Sequence, residues 1–398
     1  MHYIGMDVHA KVTYLCVLNE NGKKLKEPIV KGPLKDLVAY LKNLKKELGG
    51  PVKVCYEASG ACGWLCDQLV ALGMKVQVAH PGKLRLIFQS KHKNDRADAH
   101  KLATLLFLDQ VPLAHVPSAE VRDLRAFIEY RSRMVVQRGA CKNRLRALLR
   151  AHAIVAPRGL WTKKGLAWLS QQELPPLQSV KRDMLLMELA GLQQQIRKAE
   201  KELKVFTDKL PGVTLLMTMP GVGIRTAEAV VAYIDDANRF RRNKSVGCYF
   251  GMTPSEDTSV KVRRGHITKE GPGLVRKLVI EAAWMAIRRD EGVRAFFEQV
   301  MRGDPNRKKI ALVATAHHLL RIMHAMLRDG TPWRSTATPP AAAQDVTAQP
   351  AMPATETPVA ENAAAAEKKN VADTEKKKKA VAASKRPAVA AAPPGAAA

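Results

Sequence analysis

The sequence predicts an α/β domain at the N-terminus, a helical coiled-coil connector, a mostly α C-terminal domain and a disordered tail. Strand and helix signals alternate over roughly the first 110 residues, the pattern of a mixed sheet with helices packed on it. From Ser118 onward β signals nearly vanish and long stretches rich in Leu, Lys, Arg, Gln and Glu take over. Past Trp333 the chain contains no Phe, Tyr, Trp, Leu or Ile, so that segment cannot bury enough apolar area to offset its chain entropy. These shifts divide the chain into segments 1–117, 118–210, 211–334 and 335–398.

In chain order, Tyr3-Ile4-Gly5-Met6-Asp7-Val8 is a buried strand, and residues 12–18 form a second that runs into the turn Asn19-Glu20-Asn21-Gly22. A third strand around Pro28-Ile29-Val30 completes a meander. Residues 34–48 place Leu37, Val38, Leu41 and Leu44 at helical spacing, and Val52-Lys53-Val54-Cys55-Tyr56-Glu57 is a strand behind them. Ser59-Gly60 ends that strand, residues 61–72 make the next helix, and Lys75-Val76-Gln77-Val78-Ala79 is a strand stopped by Pro81-Gly82.

Residues 119–153 form one long helix with Leu124, Phe127, Ile128, Met134, Leu145 and Leu149 among its apolar members. Its other face is crowded with Arg122, Arg125, Arg131, Arg133, Arg138, Lys142, Arg144, Arg146 and Arg150. A second long helix over residues 180–206 is suited to pair with it as an antiparallel coiled coil. Its mixed charges suit a solvated face, whereas the basic excess on the first helix points to nucleic-acid contact, above all at Arg138, Lys142, Arg144 and Arg146.

Lys and Arg number 65 against 37 Asp and Glu, a net charge of +28. The last 64 residues hold 8 basic and 6 acidic side chains, so all but two of these charges lie in the first 334 residues. A polyanion is therefore the first partner to consider. No run approaches the roughly 18 consecutive apolar residues of a membrane span, and Met1-His2-Tyr3-Ile4-Gly5 lacks the pattern of a signal peptide. A cytoplasmic protein without a membrane partner is expected. The six cysteines lack C-x-x-C spacing and are expected to be reduced core thiols. Lys376 to Lys379 in the tail suits either nonspecific phosphate contact or a solubilising role.

Asp7 and Glu57 sit at strand ends, and Asp95 and Asp98 open a helix within Asn94-Asp95-Arg96-Ala97-Asp98-Ala99. Taken singly, such carboxylates are commonly solvated turn residues or helix caps. Together, an i, i+3 pair and two strand ends in an α/β domain match what two Mg²⁺ ions need to hold a phosphodiester for in-line displacement. Pro220-Gly221-Val222-Gly223-Ile224-Arg225-Thr226 has the form of a helix-hairpin-helix turn, whose amides at a helix start face a phosphate oxygen. Thr253-Pro254-Ser255-Glu256-Asp257-Thr258-Ser259 is a polar loop, and the following Arg263, Arg264 and Lys269 are placed to neutralise a phosphate under attack by a serine hydroxyl.

These stretches in this order resemble the insertion-sequence transposases of the "one-ten" family, which includes bridge-RNA-guided recombinases and Piv-type DNA invertases. The resemblance covers about residues 2–333. It rests on Ile4-Gly5-Met6-Asp7-Val8-His9, Tyr56-Glu57-Ala58-Ser59-Gly60, Lys93-Asn94-Asp95-Arg96-Ala97-Asp98-Ala99, Pro220-Gly221-Val222-Gly223, Gly251-Met252-Thr253-Pro254 and Arg264-Gly265-His266-Ile267-Thr268-Lys269. It implies an N-terminal domain of RNase H fold, RuvC-like, with an Asp-Glu-Asp-Asp metal and catalytic set on Asp7, Glu57, Asp95 and Asp98. It also implies a coiled-coil connector and a C-terminal transposase domain whose nucleophilic serine falls on Ser259 by spacing from Gly-Met-Thr-Pro. In such enzymes the serine forms a phosphoserine link to DNA, Mg²⁺ (or Mn²⁺ as a substitute) completes the site, and a noncoding RNA pairs with target and donor DNA. Here Val260-Lys261-Val262 replaces the glycine-rich loop that often follows the serine, which makes Ser255 a rival nucleophile. The tail lies outside the family pattern.

The expected function is a transposase that cuts and rejoins DNA strands as a homo-oligomer, a dimer or a tetramer on DNA, with a guide RNA implied by the resemblance. Two alternatives remain at this level. One is a DNA invertase or junction-resolving nuclease that uses the carboxylates alone, and the other is a nucleic-acid-binding protein whose catalytic set has decayed.

Overall fold

Strict alternation along the first strand sorts its side chains between two layers. In a computed structural model, which describes residues 1–60, 62–87, 94–257 and 263–335, β1 (His2–Val8) buries Ile4 and Met6 on one face. That face packs on Leu37, Leu41 and Leu44 of α1 (Leu34–Leu48) and on Leu65 and Leu69 of α2 (Cys62–Ala71). β1 pairs antiparallel with β2 (Val12–Leu18) and parallel with β5 (Val52–Glu57), which in turn pairs parallel with β6 (Lys75–Ala79). Two short strands, β3 (Lys24–Lys26) and β4 (Ile29–Lys31), both pair with β2. The described residues thus form a six-stranded sheet of order β3-β2-β1-β5-β6 with β4 beside β2, an RNase H-like arrangement.

The opposite face carries Tyr3, Gly5 and Asp7 and is covered by α4 (Asp95–Phe107). Contact is close because Gly5 has no side chain: a Cβ there would stand 2.2 Å from both Ala99 O and Ala103 N. Two alanines on α4 and a glycine on β1 therefore set the height of the helix above the sheet. Tyr3 meets Phe107 edge-on at 5.4 Å between ring centroids. A short helix, α3 (Pro81–Ile87), begins where only a strand stop was expected, because Pro is as well suited to the first turn of a helix as to ending a strand.

The long helix is α5 (Ala119–Ala151), capped by the Ser118 hydroxyl, which accepts from Val121 N. It packs along α7 (Pro176–Thr207), with α6 (Lys163–Ser170) between them in the chain, through Cys141, Leu145, Leu149, Leu185 and Leu189 near one end. Met134 and Ile196 continue the seam, and Ile128 and Leu203 enter the core of the next layer.

That core is helical: α8 (Pro211–Met217), α9 (Ile224–Ile234), α10 (Asn243–Tyr249), α11 (Gly273–Arg289), α12 (Glu291–Met301) and α13 (Lys308–Asp329). α13 is long and apolar enough by composition to cross a membrane. Its apolar side is instead spent on packing, with Leu319, Leu320 and Met323 fully buried. Arg125 of α5 reaches the end of α9, where its Nε donates to Ala232 O at 2.7 Å, so α5 satisfies a carbonyl that a helix C-terminus leaves open. A hairpin of β7 (Pro254–Asp257) and β8 (Arg263–Ile267) interrupts the helices where a polar loop was expected. The tail lies outside the described residues.

Candidate active site and nucleic-acid interface

Register places the first two carboxylates. Met6 pairs with Tyr56 in the parallel ladder between β1 and β5, so Asp7 and Glu57 follow at the same level on adjacent strands. Asp7 lies two residues beyond Gly5 and Glu57 two beyond Cys55, whose side chain is packed with Leu102, Leu105 and Leu106 of α4. Both acids therefore face the helix layer, Glu57 from an exposed position. α4 starts there: Asn94 is its cap, its side chain accepting from Arg96 N at 3.1 Å, which makes Asp95 the first helical residue rather than the cap. Asp95 and Asp98 occupy the first turn, where the helix dipole favours anions.

Asp7 and Asp95 come together around a residue that the sequence analysis did not single out. His9 Nε2 lies 3.3 Å from Asp7 Oδ2 and 3.7 Å from Asp95 Oδ2. The ligand atoms of these three residues all fall within 4.8 Å of one another. Asp98 accepts instead from Lys101 Nζ at 2.8 Å. Burial raises the Asp7 carboxyl above its ordinary value; His9 lowers it, and the charges of Asp95 and Asp98 push it up again. A half-buried group of anions of this kind fits a divalent cation, which supplies the neutralising charge that protein groups here provide only in part.

Elsewhere in this domain, Cys16 Sγ lies 3.3 Å from His100 Nδ1, with Glu27 close by. Glu27 is already paired with Lys24 at 3.0 Å, and burial pushes the Cys16 thiol up to about 11. Of the six cysteines expected in the core, Cys16, Cys55 and Cys141 are buried, Cys62 and Cys66 are partly so, and Cys248 is exposed. All are free thiols.

The two glycines of the Pro-Gly-Val-Gly turn prove to have different roles. Gly221 has φ +83°, and a Cβ there would stand 2.6 Å from Ala282 O and Ala286 N of α11. Its smallness serves packing. Gly223 caps α9 and has open space where a side chain would be, so the helix start is accessible on that side. Two neighbours expected to contact nucleic acid are committed inward. Thr226 is buried, and Arg225 donates to the fully buried Glu228 at 2.8 Å.

On α5 most of the expected basic face is similarly engaged. Arg122 pairs with Asp67, Arg131 with Glu200, and Arg144 with Glu188 at 2.6 Å. Arg138, Lys142, Arg146 and Arg150, spaced four apart, have no acidic partner among the described residues. Burial, then Arg138 and Arg146, lower the Lys142 ammonium below its ordinary value. Lys142 and Arg146 both lie over the Trp161 ring, at 4.9 and 5.2 Å from its centroid. A row of like charges at this spacing destabilises a helix on its own and is the arrangement that phosphates would relieve.

Ser255 donates its hydroxyl to His266 O at 3.1 Å across the β7–β8 hairpin. Ser259 lies in the interval between β7 and β8, outside the described residues. Arg263 and Arg264 belong to β8, and Lys269 is exposed with φ +58°, its amide donating to Gly251 O at 3.1 Å.

A transposase family model of the DEDD type matches residues 4–154, spanning the sheet, α4 and α5. A second, described as transposase of the IS116/IS110/IS902 family, matches residues 213–298. The chain belongs to the IS110/IS116/IS902 family of transposases. Its relatives include the transposase for insertion sequence element IS1111A of Coxiella burnetii, 27% identical over 72% of this chain and 78% of that protein. A probable family 20 transposase of Pseudomonas aeruginosa is 27% identical over 71% of this chain and 86% of its own length. The transposase for element IS1328 of Yersinia enterocolitica is 25% identical over 71% and 85%. This transposase is thus a DNA-binding strand-transfer enzyme, and its DEDD-type domain implies dependence on a divalent metal.

Proposed function

We propose that this transposase cuts and rejoins DNA with a carboxylate site of Asp7, Glu57, Asp95 and Asp98 acting together with a nucleophilic serine, Ser259. The observation that carries the metal half of the reading is the convergence of Asp7 and Asp95, from a strand end and a helix start, within reach of one cation. Mg²⁺ bound there, as two ions, would neutralise the phosphate and favour ionisation of the attacking hydroxyl.

In the proposed reaction the Ser259 Oγ attacks phosphorus and gives up its proton to the carboxylate cluster. The bond from phosphorus to the 3′ oxygen breaks, the 3′ oxygen takes up a proton, and the 5′ phosphate stays on the serine. Attack by the 3′-hydroxyl of another strand then reverses the sequence and frees the serine. Arg263, Arg264 and Lys269 are assigned to offset the charge that builds up on the phosphate. Ser259 and the carboxylates belong to distant parts of the chain, which favours assembly of the full site in a homo-oligomer on donor and target DNA.

In the same reading residues 1–117 are a RuvC-like domain, 118–210 a coiled-coil connector, 211–334 the transposase domain with its helix-hairpin-helix, and 335–398 a tail rich in Ala, Pro and Lys. Gly223 and the open basic row on α5 would hold phosphates, and a noncoding guide RNA would choose the sites. The reading is tested by mass spectrometry of a trapped protein–DNA adduct. A nucleotide on Ser259 is expected, and Ser259→Ala is expected to abolish strand exchange. An adduct on Ser255 would move the nucleophile, and robust exchange by Ser259→Ala would leave a nuclease-type reaction at the carboxylates alone.

A further inference from the structure

We infer that His9 is a nitrogen ligand of the metal site and makes it favour Mn²⁺ over Mg²⁺. The inference rests on the reading of Asp7 and Asp95 as metal ligands and adds to that set a residue of different chemistry.

Three observations carry it. His9 is the first residue past the end of β1, two beyond Asp7, and its ring turns back to the Asp7 carboxylate at the strand end. The turn between β1 and β2 fixes its backbone, with His9 N donating to Val12 O at 3.1 Å. Its backbone is thus tied across the turn to the start of β2. Finally, Nε2 lies against both carboxylates, 3.3 Å from Asp7 Oδ2 and 3.7 Å from Asp95 Oδ2, with the ligand atoms of all three within 4.8 Å of one another. The side chain is 42% exposed, so it reaches over the site from the surface instead of filling the core.

The donor set decides the consequence. Mg²⁺ is held by oxygen ligands and keeps several waters, so an imidazole adds little to its binding. Mn²⁺ accepts oxygen ligands as readily and gains more from a borderline nitrogen donor. Two carboxylates and an imidazole on one side of a site therefore distinguish the two ions, where carboxylates alone would not.

The experiment uses the full-length protein and two direct readouts of binding. Mn²⁺ affinity is followed through the electron paramagnetic resonance signal of the free ion, and Mg²⁺ affinity by competition against it. Pulsed spectra of the bound Mn²⁺ then report a ¹⁴N coupling where a histidine nitrogen is coordinated. In wild type that coupling is expected. In His9→Ala it should vanish, with Mn²⁺ affinity falling roughly tenfold or more, at least the scale on which outer-shell groups act, and Mg²⁺ affinity changing far less. His100→Ala should keep the coupling.

Equal losses for both ions, a ¹⁴N coupling that survives in His9→Ala, or tighter Mn²⁺ binding in that variant would overturn the inference. The last result would mean that the ring competes with the cation. Asp95→Ala separates the two levels of the argument. If it binds Mn²⁺ as well as wild type, the carboxylate site itself has been misassigned. If it loses Mn²⁺ while His9→Ala shows no selectivity, the assignment of His9 alone falls. Matching thermal melts of the metal-free variants establish that each has folded.

Discussion

Burial holds the Asp7 carboxyl above its ordinary value; His9 lowers it, while the charges of Asp95 and Asp98 raise it. A carboxyl raised in the folded state binds its proton more tightly there than in the unfolded chain. Its contribution to stability is therefore fully present at acid pH and is lost as pH rises through the folded-state value. At neutral pH the ionised Asp7 is a net burden on the metal-free fold, the usual condition of a group arranged for chemistry rather than stability. Asp7→Asn is accordingly expected to melt higher than wild type at neutral pH in the presence of a chelator. The gain should shrink as pH falls through the raised folded-state value and be gone below about pH 4, where an ordinary carboxyl is protonated as well. Divalent metal should raise the melting temperature of wild type and not of the variant, which should also lose strand exchange. Thermal melts across pH check this, and a variant no more stable than wild type at neutral pH would show that Asp7 carries no such burden.

The turn between α8 and α9 commits one glycine of its motif to packing and leaves the other open. Gly221 and Gly223 are equivalent in the sequence pattern, yet only Gly221 sits in the left-handed region and against the backbone of α11. Gly221→Ala is expected to destabilise the C-terminal core by about 1–3 kcal/mol, the range for an overpacked contact, whatever DNA is present. Gly223→Leu should leave the melting temperature nearly unchanged and weaken binding to all duplexes about equally, because amides at a helix start contact phosphates and not bases. Calorimetry and binding to two unrelated duplexes distinguish the two. A loss confined to one sequence would argue for base readout. The same contrast marks what the sequence makes legible. β1, β5 and the first turn of α4 were readable because period-two alternation and i, i+3 spacing are local properties, and the carboxylates they carry follow directly. His9 was not, since its place between Asp7 and Asp95 exists only once the hairpin brings strand and helix together. The β7–β8 hairpin was missed because Pro254-Ser255-Glu256-Asp257 has no apolar alternation to announce a strand. The burial of Thr226 and the pairing of Arg225 with Glu228 were not legible, because burial depends on what packs against a helix, here Thr207 and Glu228.

For the molecule as a whole, a net charge of +28 makes polyanion binding certain to depend on salt, and the pairing pattern says which charges matter. Much of the basic face of α5 is neutralised internally or spent on carbonyls: Arg122, Arg131 and Arg144 by acids, and Arg125 by the end of α9. Arg138, Lys142 and Arg146, followed one turn on by Arg150, remain as a row without acidic partners among the described residues, with Lys142 and Arg146 over Trp161. Each phosphate neutralised contributes a slope of about −0.9 to the dependence of log affinity on log salt for duplex DNA. Replacing these three with Ala should therefore make the slope shallower by roughly 2–3. Arg144→Ala should change the slope less, because its charge is already matched by Glu188. Deleting the chain from Ser335 removes only two net charges and should leave the slope nearly intact. Binding titrations over a salt series measure all three. A slope that collapses on deletion of the tail, and survives the triple replacement on α5, would mean that nucleic acid is gripped by the tail and that the open row on the helix serves another purpose.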